Sequence, residues 1–249
     1  MLKKIVFMGT PLFAVPILKS LYQNGFPISV VYTQPPQKSK RGQQVNRSPV
    51  QSMSEVLNIE FRTPQTLKNN NEEYEYLKKL DADIAIVVAY GQIIPPEILK
   101  LTKKGFINIH ASLLPKWRGA APIQRAIINL DKLTGISIMK INENLDSGPV
   151  CNSYKVDILN NENAEEISNK LSSLAAEKIL ENLDDIFGDK ANFIEQDHSQ
   201  ATYAKKINKL EGKINWNEKS MAIIGKINGL YPNPGAWFIF KGERYKILK

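Results

Sequence analysis

Asn108 and His110 stand two residues apart and carry complementary chemistry. An asparagine amide can donate to a developing oxyanion, and an imidazole can hold or deliver a proton near neutral pH. The apolar, β-branched run Phe106 to Ile109 predicts a strand. Pro115 and Gly119 stop it, and the Ala-rich stretch Ala121 to Asn129 predicts a helix. Side chains alternate along a strand, so Asn108 and His110 share a face. At the carboxyl end of an α/β sheet that face opens on the ligand crevice, and the two groups converge on one point. An isolated N-x-H would read as an ordinary core pair. Here the string runs on through Ser112-Leu113-Leu114-Pro115 and Trp117-Arg118-Gly119-Ala120-Ala121-Pro122, too long and specific for packing alone. A carboxylate is needed to orient the imidazole. Asp146, in Asn144-Leu145-Asp146-Ser147-Gly148 after a strand ending at Ile141, could approach the same crevice. Asp157, Asp184 and Asp185 read as surface or capping residues, and His198, beside Asp197 and Ser199, as solvated. Cys151 is isolated, and no Cys/His cluster has metal-ligand spacing, so no metal is expected.

The elements that must position these residues are legible as punctuated apolar runs. Lys3 to Met8, Ile28 to Thr33, Ile84 to Ala89, Phe106 to His110 and Ile136 to Ile141 predict strands, and Phe13 to Tyr22 predicts a helix. Near-continuous apolar strands alternating with helices indicate a doubly wound, Rossmann-like, mostly parallel α/β sheet covered on both faces. Asn163 with Glu166 starts a long helix that Gly188 ends after Phe187, with Ile167, Leu171, Leu174, Ile179 and Leu183 as its stripe. Residues 1–190 are thus expected to form one domain and 191–204 a polar interdomain linker. Residues 205–249 hold alternating β-structure around Ile214-Asn215-Trp216 and Trp237-Phe238-Ile239-Phe240. Gly9-Thr10-Pro11 follows the first strand without a G-x-G-x-x-G pattern, so nucleotide binding is not indicated.

Composition sets the outer bounds. The chain has 249 residues, 43% hydrophobic and 23% charged, and a single cysteine, which excludes a disulfide framework and suits a reducing, cytoplasmic compartment. Lys3 and Lys4 before an apolar run imitate a signal peptide, but Gly9, Pro11 and Pro16 interrupt it. No segment is long or apolar enough to span a membrane. Of the net charge of +8, +7 falls after Ala201, where ten Lys or Arg face three Glu. That asymmetry suits a polyanionic partner, with a solvated Lys-rich surface as the equal alternative.

From about Val6 to the last residue the chain resembles the methionyl-tRNA formyltransferase family. NIHASLLPKWRGAAPIQRAI, GISIMKINENLDSGP, VVAYGQIIP and SQATYAKKI carry the resemblance. It implies transfer of a formyl group from 10-formyltetrahydrofolate to the α-amino group of methionine on initiator tRNA, for translation initiation. Asn108, His110 and Asp146 match the family's catalytic Asn, His and Asp position for position. Ser112, Leu113, Leu114 and Pro115 match its folate-contacting segment, and Val88, Ala89, Tyr90 and Gly91 resemble a strand end lining its pterin pocket. The basic loop between Pro35 and Pro49 corresponds to one that enters the tRNA acceptor stem. Arg41 aligns with its key arginine, Lys40 precedes it, and Gln37-Lys38-Ser39-Lys40 departs from the usual pattern. Lys206 and Lys209 are further implied tRNA contacts, in a region corresponding to an OB-type β-barrel of which residues 205–249 hold the opening. A monomer is expected. Three other readings stay open: a shared core formylating an amino-sugar nucleotide or glycinamide ribonucleotide, a folate-dependent deformylase, and a non-catalytic RNA-binding remnant.

Overall fold

The computed structural model describes residues 3–39 and 44–248. From the amino end, β1 (Ile5–Gly9) leads through a 3-10 turn into α1 (Val15–Gln23) and β2 (Ile28–Tyr32). A short hairpin of β3 (Gln37–Ser39) and β4 (Gln44–Asn46) precedes α2 (Pro49–Val56), β5 (Phe61–Arg62) and α3 (Asn71–Leu80). Then come β6 (Ile84–Val88), α4 (Pro96–Leu99), β7 (Phe106–His110), β8 (Arg118–Gly119) and α5 (Pro122–Ile128). The antiparallel pair β9 (Leu133–Lys140) and β10 (Val150–Asp157) leads to the long α6 (Ala164–Phe187). Beyond it lie β11 (Tyr203–Ala204), α7 (Ser220–Leu230) and the hairpin β12 (Trp237–Phe240)–β13 (Glu243–Lys246).

The main sheet has seven strands in the order β10-β9-β7-β6-β1-β2-β5. Strands β7, β6, β1, β2 and β5 run parallel. Both faces are covered, so both alternating sets of a strand are apolar. Ile5 and Phe7 of β1 join Ile84 and Ile86 of β6 in a core beneath α1 and α6, while Val6 and Met8 join Ala85 and Val87 in a second core under α3 and α4. The expected cap is present: the Asn163 side chain accepts from the Glu165 and Glu166 amides, and Glu166 reaches back to the Asn163 amide. Ile167, Leu171, Ile179 and Leu183 are wholly buried. Ser172 and Ser20 link α6 to the 3-10 turn and to α1 through the Phe13 and Ala176 carbonyls, at 2.7 and 2.9 Å.

Three elements depart from the sequence expectation. The strand expected from Ile136 to Ile141 starts earlier, at Leu133, and runs antiparallel to β7. Edge strand β10 mixes half-buried and exposed residues and alternates only from Ser153 on, a weak pattern in Val-Cys-Asn-Ser-Tyr-Lys-Val-Asp. Helix α7 contains Gly225 and Gly229, which disfavour an isolated helix. Tertiary packing overrides that propensity. A Cβ on Gly229 would lie 2.6 Å from Ile128 Cγ1 and 3.0 Å from the Gln124 carbonyl oxygen, so the two glycines let α7 lie directly on α5. Arg125 of α5 adds a bidentate contact to Glu211, at 2.6 and 3.1 Å, and holds that carboxyl below the usual carboxylate range.

Gly229→Val forces that contact apart. Overpacking of this kind costs about 1–3 kcal/mol. A lower thermal midpoint is expected, with faster protease cutting after residue 204, and an unchanged midpoint and cutting rate would show that α7 has room to spare.

Candidate active site

Asn108 and His110 share the β7 face with Phe106, opposite the face that Ile107 and Ile109 present to the α6 side. They are nearly buried, at 9% and 6% exposure. Because β9 is antiparallel, its end at Lys140 pairs with Ile107, near the foot of β7. The loop 141–149 therefore has to fold back over the β7 face for Asp146 to reach Asn108 and His110. Two backbone features permit this. Asp146 takes a left-handed φ of 44°, and Gly148 lies so close to the Lys140 carbonyl oxygen that any Cβ would collide with it.

The Asp146 carboxylate sits among three groups. Oδ2 accepts from the Gly119 amide at 2.8 Å and lies 3.7 Å from His110 Nδ1. Oδ1 faces Asn108 Nδ2 at 3.5 Å. His110 Nε2 is 2.9 Å from the Trp117 carbonyl oxygen. A carbonyl only accepts, so Nε2 carries a proton, and in the neutral ring the lone pair is on Nδ1, beside Asp146. Trp117 at φ 60° and Gly119 at φ 113° turn the chain so that a carbonyl and an amide point back at this cluster. Such backbone strain collects at functional sites.

The folate-linked expectations fall on the flanks of this cluster. Ser112 is buried, and its hydroxyl donates to the Lys116 carbonyl at 2.6 Å. Leu113, Leu114 and Pro115 are half-buried in the turn that follows, where the Leu114 amide donates to Ser137 at 3.1 Å. Val88 ends β6, and Ala89 and Gly91 take φ of 47° and 83°. The Tyr90 ring is buried in the core, which pushes its phenol well up, so Tyr90 meets the crevice edge through backbone alone. Its carbonyl accepts from Thr10 at 2.7 Å and that of Gly91 from Gln34 at 2.8 Å, tying the ends of β1, β2 and β6 together. Beside them a cleft of about 210 Å³ is lined by Thr10, Pro11, Gln34, Ser48 and neighbours.

Lys206 and Lys209 are exposed, and Lys40 and Arg41 lie outside the described residues. Burial pushes the Cys151 thiol up to about 11, so it is not a thiolate at neutral pH. Among the described residues no group of three His, Cys, Asp or Glu could hold a metal ion, and no helix is long and apolar enough to cross a membrane. The stretch 191–204, expected as a polar linker, also packs on the site. Ile194 bridges Val150, Thr202 accepts from the Trp117 and Arg118 amides, and Ala204 pairs with Gly119. His198 is exposed as expected, with Nδ1 3.0 Å from Arg118 Nη2. Arg118 and Gln196 are the residues that sequence reasoning passed over. The only signal was the place of Arg118 inside the first quoted string and of Gln196 just before the last.

A model of the formyl transferase family matches residues 3–183, and one of the formyl transferase C-terminal domain matches residues 206–249. A methionyl-tRNA formyltransferase of Pelagibacter ubique is 69% identical over all of this chain and 80% of its own length. That of Thermodesulfovibrio yellowstonii is 42% identical over 98% of this chain and 79% of its own. Among solved structures, a 4-N formyltransferase from Francisella tularensis aligns with a TM-score of 0.76 at 20% identity, over 100% of this chain and 97% of that one. The N-formyltransferase from Helicobacter canadensis, in complex with folinic acid and dTDP-3-aminofucose, aligns at 0.75 and 19% identity, over 97% and 85%. The structural likeness supports the fold, and the sequence identity goes further: this chain belongs to the methionyl-tRNA formyltransferase family.

Proposed function

We propose that this protein transfers a formyl group from 10-formyltetrahydrofolate to the α-amino group of methionine carried by initiator tRNA. The observation that carries the reading is the convergence of Asn108, His110 and Asp146 in a chain 69% identical to a methionyl-tRNA formyltransferase. The folate supplies its formyl carbon as an activated formamide. Val88–Gly91 and Ser112–Pro115, at the ends of adjacent strands β6 and β7, offer an apolar rim with backbone polar groups, which fits a flat pterin.

Transfer forms a bond from the methionine nitrogen to the formyl carbon and breaks the bond from that carbon to the folate nitrogen. Asn108 can turn its amide hydrogens from the long 3.5 Å contact with Asp146 toward the developing oxyanion. His110 takes the amine's proton on Nδ1, where the Asp146 carboxylate stabilises the resulting cation, and the Trp117 carbonyl keeps the ring oriented through Nε2. The same proton is then available to the departing folate nitrogen, so charge balances over the cycle. Lys206 and Lys209, with Lys40 and Arg41, would meet the tRNA phosphates.

Asn108→Ala, His110→Ala and Asp146→Ala should each lower formyl-methionine formation by about a hundredfold or more at saturating folate, with the protein still folded. Any variant keeping more than about a tenth of the rate leaves the set. An amino-sugar nucleotide offered as acceptor should give no product, and preferential use of it would replace tRNA as the substrate.

Lysines that meet phosphates bind through counterion release. The double change Lys206→Gln/Lys209→Gln should weaken tRNA binding and flatten the slope of log affinity against log salt by roughly one to two. Folate affinity should not change. An identical slope would make these lysines a solvated surface.

A further inference from the structure

The chain between α6 and β11 contains one polar side chain whose hydrogen-bonding capacity is fully used. Gln196 is 8% exposed. Its Oε1 accepts from Arg118 Nε at 3.0 Å and Nη2 at 2.7 Å. Its Nε2 donates to the backbone carbonyls of Asp146 at 3.0 Å and Gly148 at 2.7 Å. The amide cannot be reversed, because a guanidinium has only donors and two carbonyls have only acceptors. Arg118 is 4% exposed and therefore fixes which way Gln196 points. The carbonyls that Gln196 holds are that of Asp146 itself and one just after it, so they pin the exit of the left-handed turn at Asp146, a conformation unfavourable for a residue with a Cβ unless its surroundings impose it.

The same stretch of chain also grips the other side of the cluster. The Thr202 hydroxyl and carbonyl accept from the Trp117 and Arg118 amides at 2.9 and 2.8 Å, and the Ala204 carbonyl accepts from Ala120 at 2.9 Å. Both backbone partners of the cluster, the Trp117 carbonyl and the Gly119 amide, lie in that gripped stretch 117–120. One segment thus holds the acidic loop at Gln196 and the opposing strand at Thr202 and Ala204.

We infer that Gln196 is a positioning residue for formyl transfer: it fixes the loop 141–149 so that the Asp146 carboxylate stands between the Gly119 amide and His110. The inference rests on the proposed role of Asp146. It assigns Gln196 no contact with either substrate, so its loss should act on turnover and leave substrate binding alone. A misplacement of about 1 Å in such a constellation costs up to roughly a hundredfold in rate.

The test uses the full chain with Gln196→Leu, which keeps much of the volume, and Gln196→Glu, which keeps an oxygen for Arg118 but sets another against the two carbonyls. Both should lower kcat by about tenfold or more, with KM for folate and for Met-tRNA within about threefold. Amide exchange supplies a readout independent of activity. The Gly119 amide, bonded to Asp146, should exchange faster, while that of Ile107 in the sheet should not. In an Asp146→Ala background, single-turnover assays should show no further loss from Gln196→Leu. Wild-type kcat in both variants, equal acceleration at Gly119 and Ile107, or a full additional loss in the Asp146→Ala background would each overturn the inference. Should Asp146→Ala itself retain activity, the role of Asp146 falls, and the exchange at Gly119 still reports whether Gln196 holds the loop.

Discussion

The hydrogen bond from the Gly119 amide to the Asp146 carboxylate closes the cluster between two parts of the chain 27 residues apart. One partner belongs to the strand after β7, the other to the loop between β9 and the edge strand β10. Their meeting decides whether Asn108 and His110 face a carboxylate or open crevice. The bond requires a left-handed Asp146, a Gly119 at φ 113° and a residue without Cβ at position 148. Each requirement is locally unfavourable or restrictive, so the surrounding structure must impose all three together.

The sheet is the imposing structure. Its parallel half places the ends of β1, β6 and β7 along one edge, where Thr10 and Gln34 tie the loops together. Its antiparallel edge then sends the chain down β9 and back up β10, which makes the loop 141–149 available to cover the β7 face. A wholly parallel sheet would have needed a helical crossover at this point, and the carboxylate could not have arrived on so short a loop.

The carboxyl-terminal part depends on the first part through a different kind of contact. Glycines 225 and 229 let α7 approach α5, and Arg125 clamps Glu211 and the carbonyls of Lys205 and Lys206. The basic residues that follow are therefore carried at a set position relative to the crevice. Trp216, in the turn before α7, meets Phe238 of the hairpin β12–β13, which stacks on Tyr245, with ring centroids 5.4 and 5.5 Å apart. Trp216 and Tyr245 remain 61% and 43% exposed.

What the sequence determined alone was local in origin. Short apolar runs such as Ile84 to Val88, followed by Gly and Pro, read as strands covered on both faces, the Asn163–Glu166 cap ahead of an apolar stripe starts a helix, and a period of two puts Asn108 and His110 on one face. Spacing within one element is set by backbone geometry and needs no tertiary information. Tertiary structure decided the rest, because it depends on which elements become neighbours. The direction of β9, the half-buried and exposed mixture along the edge strand β10 and the helix at Gly225 and Gly229 follow from packing against other elements. So do the use of the Tyr90 ring as core and the grip of Gln196 on the Asp146 loop. Gln196 shows the reason most clearly: a lone amide in a polar stretch carries no signal until Arg118, 78 residues earlier, is placed against one of its ends.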